Sequence, residues 1–292
     1  MRKQKQRQIQ LIDVPNLIVI SDTHCGCKMG ICPPSGAALD DGGHYTPSEF
    51  QLKMWAYWEK FWSEWVPTVC RGEPFVLVFN GDAIDGVHHN STTQISYNLT
   101  DQMRIAEEVL RPVVEKSVAY YHIRGTEAHV RASGQDDENL AKTLGAIPNK
   151  TGQYARNDLW ITVGQCRTHI LHHIGTSGSN AHESTAVMRE YTESLVESAR
   201  WGNSPPNVVI RSHRHRNIKI EVPSGDGYGV SMTTPGWQGK TPLVWRIMGG
   251  RNATPQFGGV LVRQGDEEFY TRSWVRSIGR SEEVKCQVIT SA

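Results

Sequence analysis

Aspartate, histidine and small residues gather in five short clusters along this chain of 292 residues: Asp22-Thr23-His24, Gly81-Asp82, Gly125-Thr126-Glu127-Ala128-His129, His172-His173 and Ser212-His213-Arg214-His215. Carboxylates are hard, charged and able to bridge, while neutral imidazoles complete a coordination shell without cancelling an ion's Lewis acidity. Together they form a donor set able to hold two divalent cations close to one another.

Each cluster follows an apolar or β-rich run. Leu17-Ile18-Val19-Ile20 reads as a buried parallel strand ending at Ser21-Asp22-Thr23-His24, and Phe75-Val76-Leu77-Val78-Phe79 delivers Gly81-Asp82 in the same way. Residues 117–123, 168–171 and 208–210 stand likewise before Gly125, His172 and Ser212. Open α/β sheets bind ligands at the carboxyl edge of their strands, so the pattern predicts five strand ends converging on one site.

In this order the clusters resemble the signature of the calcineurin-like metallophosphoesterase superfamily: Asp-x-His, Gly-Asp, Gly-Asn-His followed by an acid, a lone His, and Gly-His-x-His. The resemblance spans residues 17 to 220. Each motif is weak alone; order and spacing make the set specific. It implies an α/β fold, a layered metallophosphoesterase-like β-sandwich flanked by helices, with a metal site at the strand carboxyl ends. It further implies that Asp22, His24, Asp82 and His215 bind one ion, and that Asp82, as bridge, binds the other together with His213 and one of His172 or His173. His172 is favoured because it sits directly at the strand end. Two divalent ions are the implied cofactors, Mn²⁺ first given the mixed Asp/His ligation, with Fe, Zn, Ni and Co fitting the same donors.

The chain departs from the signature twice. Ser212 replaces a glycine, a small change that still permits a tight turn. The third motif has no Asn. Glu127 is the expected replacement ligand, holding metal tightly at the expense of Lewis acidity, with Thr126 or water as the alternative occupant. His129, displaced two positions along the loop, is the expected acid that protonates the leaving group.

The implied chemistry is phosphoester hydrolysis by a metal-bridging hydroxide attacking phosphorus in line, with Asp82 and His129 as catalytic residues and no covalent phosphoenzyme. Phosphodiesters are the favoured substrates, and among them DNA or RNA, because the superfamily includes nucleases and Arg2, Lys3, Lys5 and Arg7 make the amino-terminal arm basic. Arg124-Gly125 with nearby Glu127 is similar to the Arg-Gly-Asn-His-Glu run of protein phosphatases, which keeps a phosphomonoesterase or phosphoprotein phosphatase as the alternative. A catalytically weak, metal-stabilised binding scaffold is the rival from another class.

Composition sets the frame. A net charge of +1 gives no global field that demands nucleic acid or membrane. No run approaches the roughly 20 apolar residues of a membrane span, and the polar start lacks a signal-peptide core, so the expectation is a cytoplasmic protein. Six cysteines, at 25, 27, 32, 70, 166 and 286, follow no zinc spacing, and Cys25-Gly26-Cys27 with Cys32 reads as reduced thiols in a loop rather than a soft-metal site. The expected organisation is a basic arm over 1–14, one domain over 15–280 with a β-rich end, and a tail over 281–292.

Between the motifs lie helices. Thr46-Pro47 reads as a helix start, after which Trp55, Trp58, Trp62 and Trp65 recur at helical spacing; a stripe of this kind is either a base-stacking platform or, the reading taken here, a face packed on a sheet. Thr100 is the expected cap of a second helix, and residues 136–145 and 182–201 read as two more. Strands are expected at 218–222, 229–233 and 257–262. Pro235 to Lys240 reads equally as a substrate-facing rim or as a turn with an anchored Trp. His88-His89 and His182 are expected to face water, and His122 and His169 to be structural.

Overall fold

Apolar runs with no polar alternation must be covered on both faces, and the sheets meet that demand. The structure, a computed structural model, describes residues 13–88, 90–130, 134–176, 180–224, 227–247 and 253–279. The basic residues of the arm, His89, Cys286 and the tail lie outside them.

In chain order the strands are β1 (Asn16–Ile20), β2 (Ala37–Ala38), β3 (His44–Tyr45), β4 (Phe75–Asn80), β5 (Ala119–Ile123), β6 (Ala155–Arg156), β7 (Asp158–Val163), β8 (Cys166–Leu171), β9 (Val208–Arg211), β10 (Lys219–Ser224), β11 (Gly227–Thr233), β12 (Phe257–Gln264) and β13 (Phe269–Arg276). The helices are α1 (Glu49–Lys60), α2 (Val66–Val69), α3 (Leu99–Val114), α4 (Glu127–Val130), α5 (Gln135–Thr143), α6 (Glu183–Trp201) and α7 (Pro242–Arg246). One sheet runs β13-β12-β1-β4-β5-β6, the second β10-β11-β9-β8-β7, and β2 and β3 form a small ladder. Within the first, β1, β4, β5 and β6 are parallel; within the second, β8, β9 and β11 are.

The two-residue period of a strand explains the layers. Leu17, Val19, Val76 and Val78 face the second sheet and pack with Ile170, Val208, Ile210, Val230 and Met232. Their neighbours Ile18, Ile20, Leu77 and Phe79 face the opposite way, onto Met54, Trp58 and Phe61 and onto Ile105, Val109 and Leu110 of α3. Helix α6 covers the outer face of the second sheet with buried Ala186, Val187 and Tyr191. The result is the expected layered α/β sandwich, helix, sheet, sheet, helix.

The Trp stripe is core. Trp58 and Trp62 are buried, Trp55 and Trp65 pack against the same cluster, and the Trp58 ring stands edge-on to Trp237 at 4.9 Å. Helix α1 starts two residues later than Thr46-Pro47 suggested. The Ser48 hydroxyl caps the Gln51 N–H at 3.3 Å and the Gln51 side chain returns to the Ser48 N–H at 3.1 Å, a reciprocal box that proline cannot make. Similarly, α3 is capped by Asn98 rather than Thr100. Between α1 and α2 the chain widens into a π turn at Phe61–Trp65, where Val66 N–H reaches back to Phe61. Pro67 has no N–H to give Ser63, so the wider turn precedes it at little cost.

Trp237 settles the 235–240 segment as a turn with an anchored indole. It is fully buried, and its backbone N–H donates to the Asp22 carbonyl at 2.8 Å, so core packing and site geometry meet there. Trp237→Ala is expected to cost about 3–5 kcal/mol of stability, read from denaturant midpoints; a loss under about 1 kcal/mol would remove it from the core.

Candidate metal centre

Strand adjacency brings the clusters together. In the first sheet β1, β4 and β5 are side by side, and in the second β8 and β9 are, so the segments after all five strands open on one edge. There the backbone is unusual: Asp22 (φ 55°), His24 (42°), Asp82 (57°), His213 (72°) and His215 (52°) are five of the seven non-glycine residues with positive φ among the described residues. Each such conformation costs about 1–3 kcal/mol and persists only where surrounding contacts enforce it. Asp22 N–H donates to Gly81 O at 2.9 Å and His24 N–H to Asp82 O at 3.1 Å, lacing the first two loops. Gly81 (φ 83°) and Gly125 cannot be replaced quietly, because a Cβ would lie 2.3 Å from His172 Nδ1 and 2.2 Å from Asp82 Oδ1, respectively.

The side chains form two joined groups. Asp22, His24 and His215 offer ligand atoms within 4.8 Å of one another, as do His172, His173 and His213. Asp82 lies between them: its Oδ2 is 3.0 Å from His172 Nε2, 3.7 Å from His213 Nδ1 and 4.0 Å from His24 Nε2. His24 Nε2 and His215 Nε2 are 3.2 Å apart, and His215 Nε2 is 3.2 Å from Asp22 Oδ1. Ligand atoms about 2.1 Å from one shared ion stand about 3.0–3.4 Å from each other in octahedral or tetrahedral geometry. Buried Asp22 Oδ1 meets no well-aligned donor, its nearest being His215 Nε2 at 3.2 Å, and a carboxylate oxygen so placed among imidazole nitrogens is what a cation completes. The donor set fits metal binding.

Comparison with known proteins assigns no family. No family model matches, and no curated protein sequence does. Among solved structures, vacuolar protein sorting 29 from Cryptosporidium parvum is similar at TM-score 0.40 and 10% identity, over 90% of this chain and 98% of that one. A Thermotoga maritima protein solved by solution NMR follows at TM-score 0.35 and 10% identity, over 91% and 100%. The sulfate thiohydrolase SoxB of Thermus thermophilus stands at TM-score 0.35 and 11% identity, over 93% of this chain and 58% of its own.

Electrostatics of the cluster favour positive charge. Burial works to raise the carboxyl of Asp22, but His215 and His172 outweigh it and hold the pKa at about 2; Asp82 is likewise held well below the carboxylate range, mainly by His172 and His129. Burial works to lower His172, but Asp82 and Asp22 push it up to about 10, and His215 is raised in the same way by Asp22. His24 goes the other way, to about 4, through burial first and His129 second. Cations entering here would exchange with protons on His172 and His215, which ties metal affinity to pH.

A second layer holds these groups, and sequence reading passed over most of it. Asp85 accepts from His24 Nδ1 at 3.2 Å, Gln94 Nε2 at 2.8 Å and Gln238 Nε2 at 3.1 Å, so this buried carboxylate aims His24. The Asn80 carbonyl takes His172 Nδ1–H at 2.6 Å, and the Asn80 amide donates to Ser212 Oγ at 2.6 Å. Ser212 has a use for its hydroxyl, which also meets Thr234 at 2.6 Å. Asp137 binds Gly125 N–H at 2.7 Å and His122 at 3.1 Å, so His122 is structural and steadies the third motif.

Two residues stand elsewhere than the sequence suggested. Glu127 is exposed at the start of α4 and joins none of the close groups of metal-ligating atoms among the described residues; the place facing Asp82 belongs to Thr126, whose N–H donates to Asp82 Oδ1 at 2.6 Å. A one-residue step around the turn puts one side chain inward and the next outward. Glu127→Gln is therefore expected to leave a metal titration of activity unchanged in midpoint and plateau, and a raised midpoint would return Glu127 to the site. His88 does not face water either: its Nε2 is 3.8 Å from Asp85 Oδ2 and its ring 4.5 Å from His129. His129 is in the site, with Nε2 3.8 Å from Asp82 Oδ2. His169 stacks on Trp160 at 4.3 Å, and His182 is exposed. The five described cysteines are buried and free, and none joins a metal-ligating group among the described residues. No helix among the described residues is long and apolar enough to cross a membrane.

Proposed function

We propose that this chain is a metal-dependent phosphoester hydrolase, and the observation that supports it most is the convergence of Asp22, Asp82 and the imidazoles of His24, His172, His213 and His215 within ligand-to-ligand distances at the carboxyl ends of adjacent strands. Asp22, His24, Asp82 and His215 would hold one divalent ion, and Asp82, His172 and His213 the second. Bound there, the ions supply Lewis acidity, drawing charge from phosphoryl oxygens and making water acidic enough to attack near neutral pH.

The chain's own groups do the rest. Asp85 and the Asn80 carbonyl fix the rings of His24 and His172 from behind. His129 Nδ1–H is held by the Asp85 carbonyl at 2.5 Å, which leaves Nε2 as the atom that can carry a second proton to a departing oxygen. The buried Asp22 and His24 flank closes the back, while exposed His173 and the His213 side chain, 41% exposed, open the front to substrate.

Phosphodiesters are the proposed substrates, nucleic acid among them, on the strength of the sequence resemblance. The test is hydrolysis of bis(p-nitrophenyl) phosphate by protein loaded in turn with Mn²⁺, Zn²⁺, Co²⁺ and Ni²⁺, beside p-nitrophenyl phosphate and single- and double-stranded DNA. Metal-dependent turnover abolished by a chelator is expected, with diester faster than monoester. Absence of turnover on every substrate would leave a metal-stabilised scaffold.

A further inference from the structure

One feature of the centre belongs to this chain rather than to the signature it resembles. The Thr126 hydroxyl oxygen is 3.1 Å from Asp82 Oδ2, 3.1 Å from His213 Nδ1, 3.3 Å from His173 Nε2 and 3.4 Å from His172 Nε2. A hydroxyl has one hydrogen and two lone pairs, so it cannot satisfy four such neighbours as hydrogen bonds. The spacing is instead that of atoms around a shared ion. His173 is as close to this point as His172, and its ring lies 5.0 Å from that of His172 and 5.2 Å from that of His213.

We infer that His173 and the Thr126 hydroxyl fill the coordination that the missing Asn amide would have supplied, making the second position a three-imidazole site that takes Zn²⁺, Co²⁺ or Ni²⁺ ahead of Mn²⁺. This rests on the metal-dependent reading above. The two positions differ in donors: Asp22, Asp82, His24 and His215 give the first two carboxylates and two imidazoles, whereas the second has one carboxylate, three imidazoles and a hydroxyl. Imidazole suits Zn, Co and Ni, while carboxylate and other oxygen donors suit Mn. Thr126 is well placed for this role, because its own N–H is tied to Asp82 at 2.6 Å and the preceding Gly125 N–H to Asp137 at 2.7 Å. His173 is exposed, so its removal leaves the core intact.

The experiment titrates metal-free protein with Zn²⁺ against a chromophoric chelator and with Co²⁺ by visible absorption, without substrate, alone and under a hundredfold excess of Mn²⁺. Wild type is expected to retain one Zn²⁺ or Co²⁺ under that excess. His173→Ala should weaken that one equivalent by about 10–100-fold and change the Co²⁺ spectrum, while the other equivalent and the circular dichroism stay as they were. Glu127→Gln, on the same loop, serves as the control and should match wild type. A His173→Ala titration superimposable on wild type, or Mn²⁺ displacing both equivalents, overturns the inference and leaves the metal-dependent reading standing. A wild-type protein that binds no ion overturns both.

Discussion

Asp82→Asn is expected to strip the protein of both ions and to lower metal-dependent hydrolysis by about 10³-fold or more, equivalent to about 4 kcal/mol of transition-state stabilisation. Asp82 is placed between the two groups of donors, 3.0 Å from His172 on one side and 4.0 Å from His24 on the other. The amide keeps the shape and can still accept the Thr126 N–H, so the change removes charge rather than volume. Elemental analysis and initial rates read the effect. Circular dichroism of the metal-free proteins separates lost function from lost fold. The buried Asp82 carboxylate is held well below the carboxylate range, mainly by His172 and His129, so neutralising it removes that attraction, and metal-free Asp82→Asn should melt below metal-free wild type while keeping its circular dichroism. Full occupancy with full rate in the variant would dispose of the bridging role.

How much of this was legible in the sequence follows from what each residue's signal depends on. Strands buried on both faces, such as β1 and β4, announce themselves as unbroken apolar runs, and the polar residues that end them mark the sheet edge. Helix starts were less legible: Thr46-Pro47 and Thr100 look like caps, but Ser48 and Asn98 win because their side chains reach the free N–H groups two and three residues on. Strands β7 and β13 escaped notice: neither delivers one of the polar clusters, and polar residues interrupt their apolar ones, Asp158 and Thr162 in the first and Thr271, Arg272 and Ser273 in the second. Order and spacing brought out His24, His172 and His215, which the fold places close to Asp22 and Asp82, but did not separate Glu127 from Thr126. Which of two adjacent loop residues points inward is set by the bonds from Asp82 and Asp137 to the loop backbone, and those arrive from distant segments. Asp85 was within reach, three residues past Asp82, since a carboxylate so close to a ligand is a natural partner for a ligand imidazole. Gln94 and Gln238, which hold it, carry no local signal at all.

His129→Ala is the second large effect, and its size should depend on the substrate. The imidazole is fixed at Nδ1 by the Asp85 carbonyl and lies edge-on to His24 at 4.5 Å, so Nε2 is turned toward Asp82, 3.8 Å from its Oδ2. A proton delivered from there matters in proportion to the basicity of the departing oxygen. Alkoxide leaving groups, as in nucleic acid, need it; nitrophenolate is stable enough to leave without it. The variant is therefore expected to lose about 10²–10⁴-fold on alkyl or nucleotide diesters and less than about 10-fold on the nitrophenyl diester, with metal content unchanged. Equal losses on both substrates at full metal occupancy would take the proton-donor role from His129, and equal losses accompanied by a missing ion would make it a ligand instead.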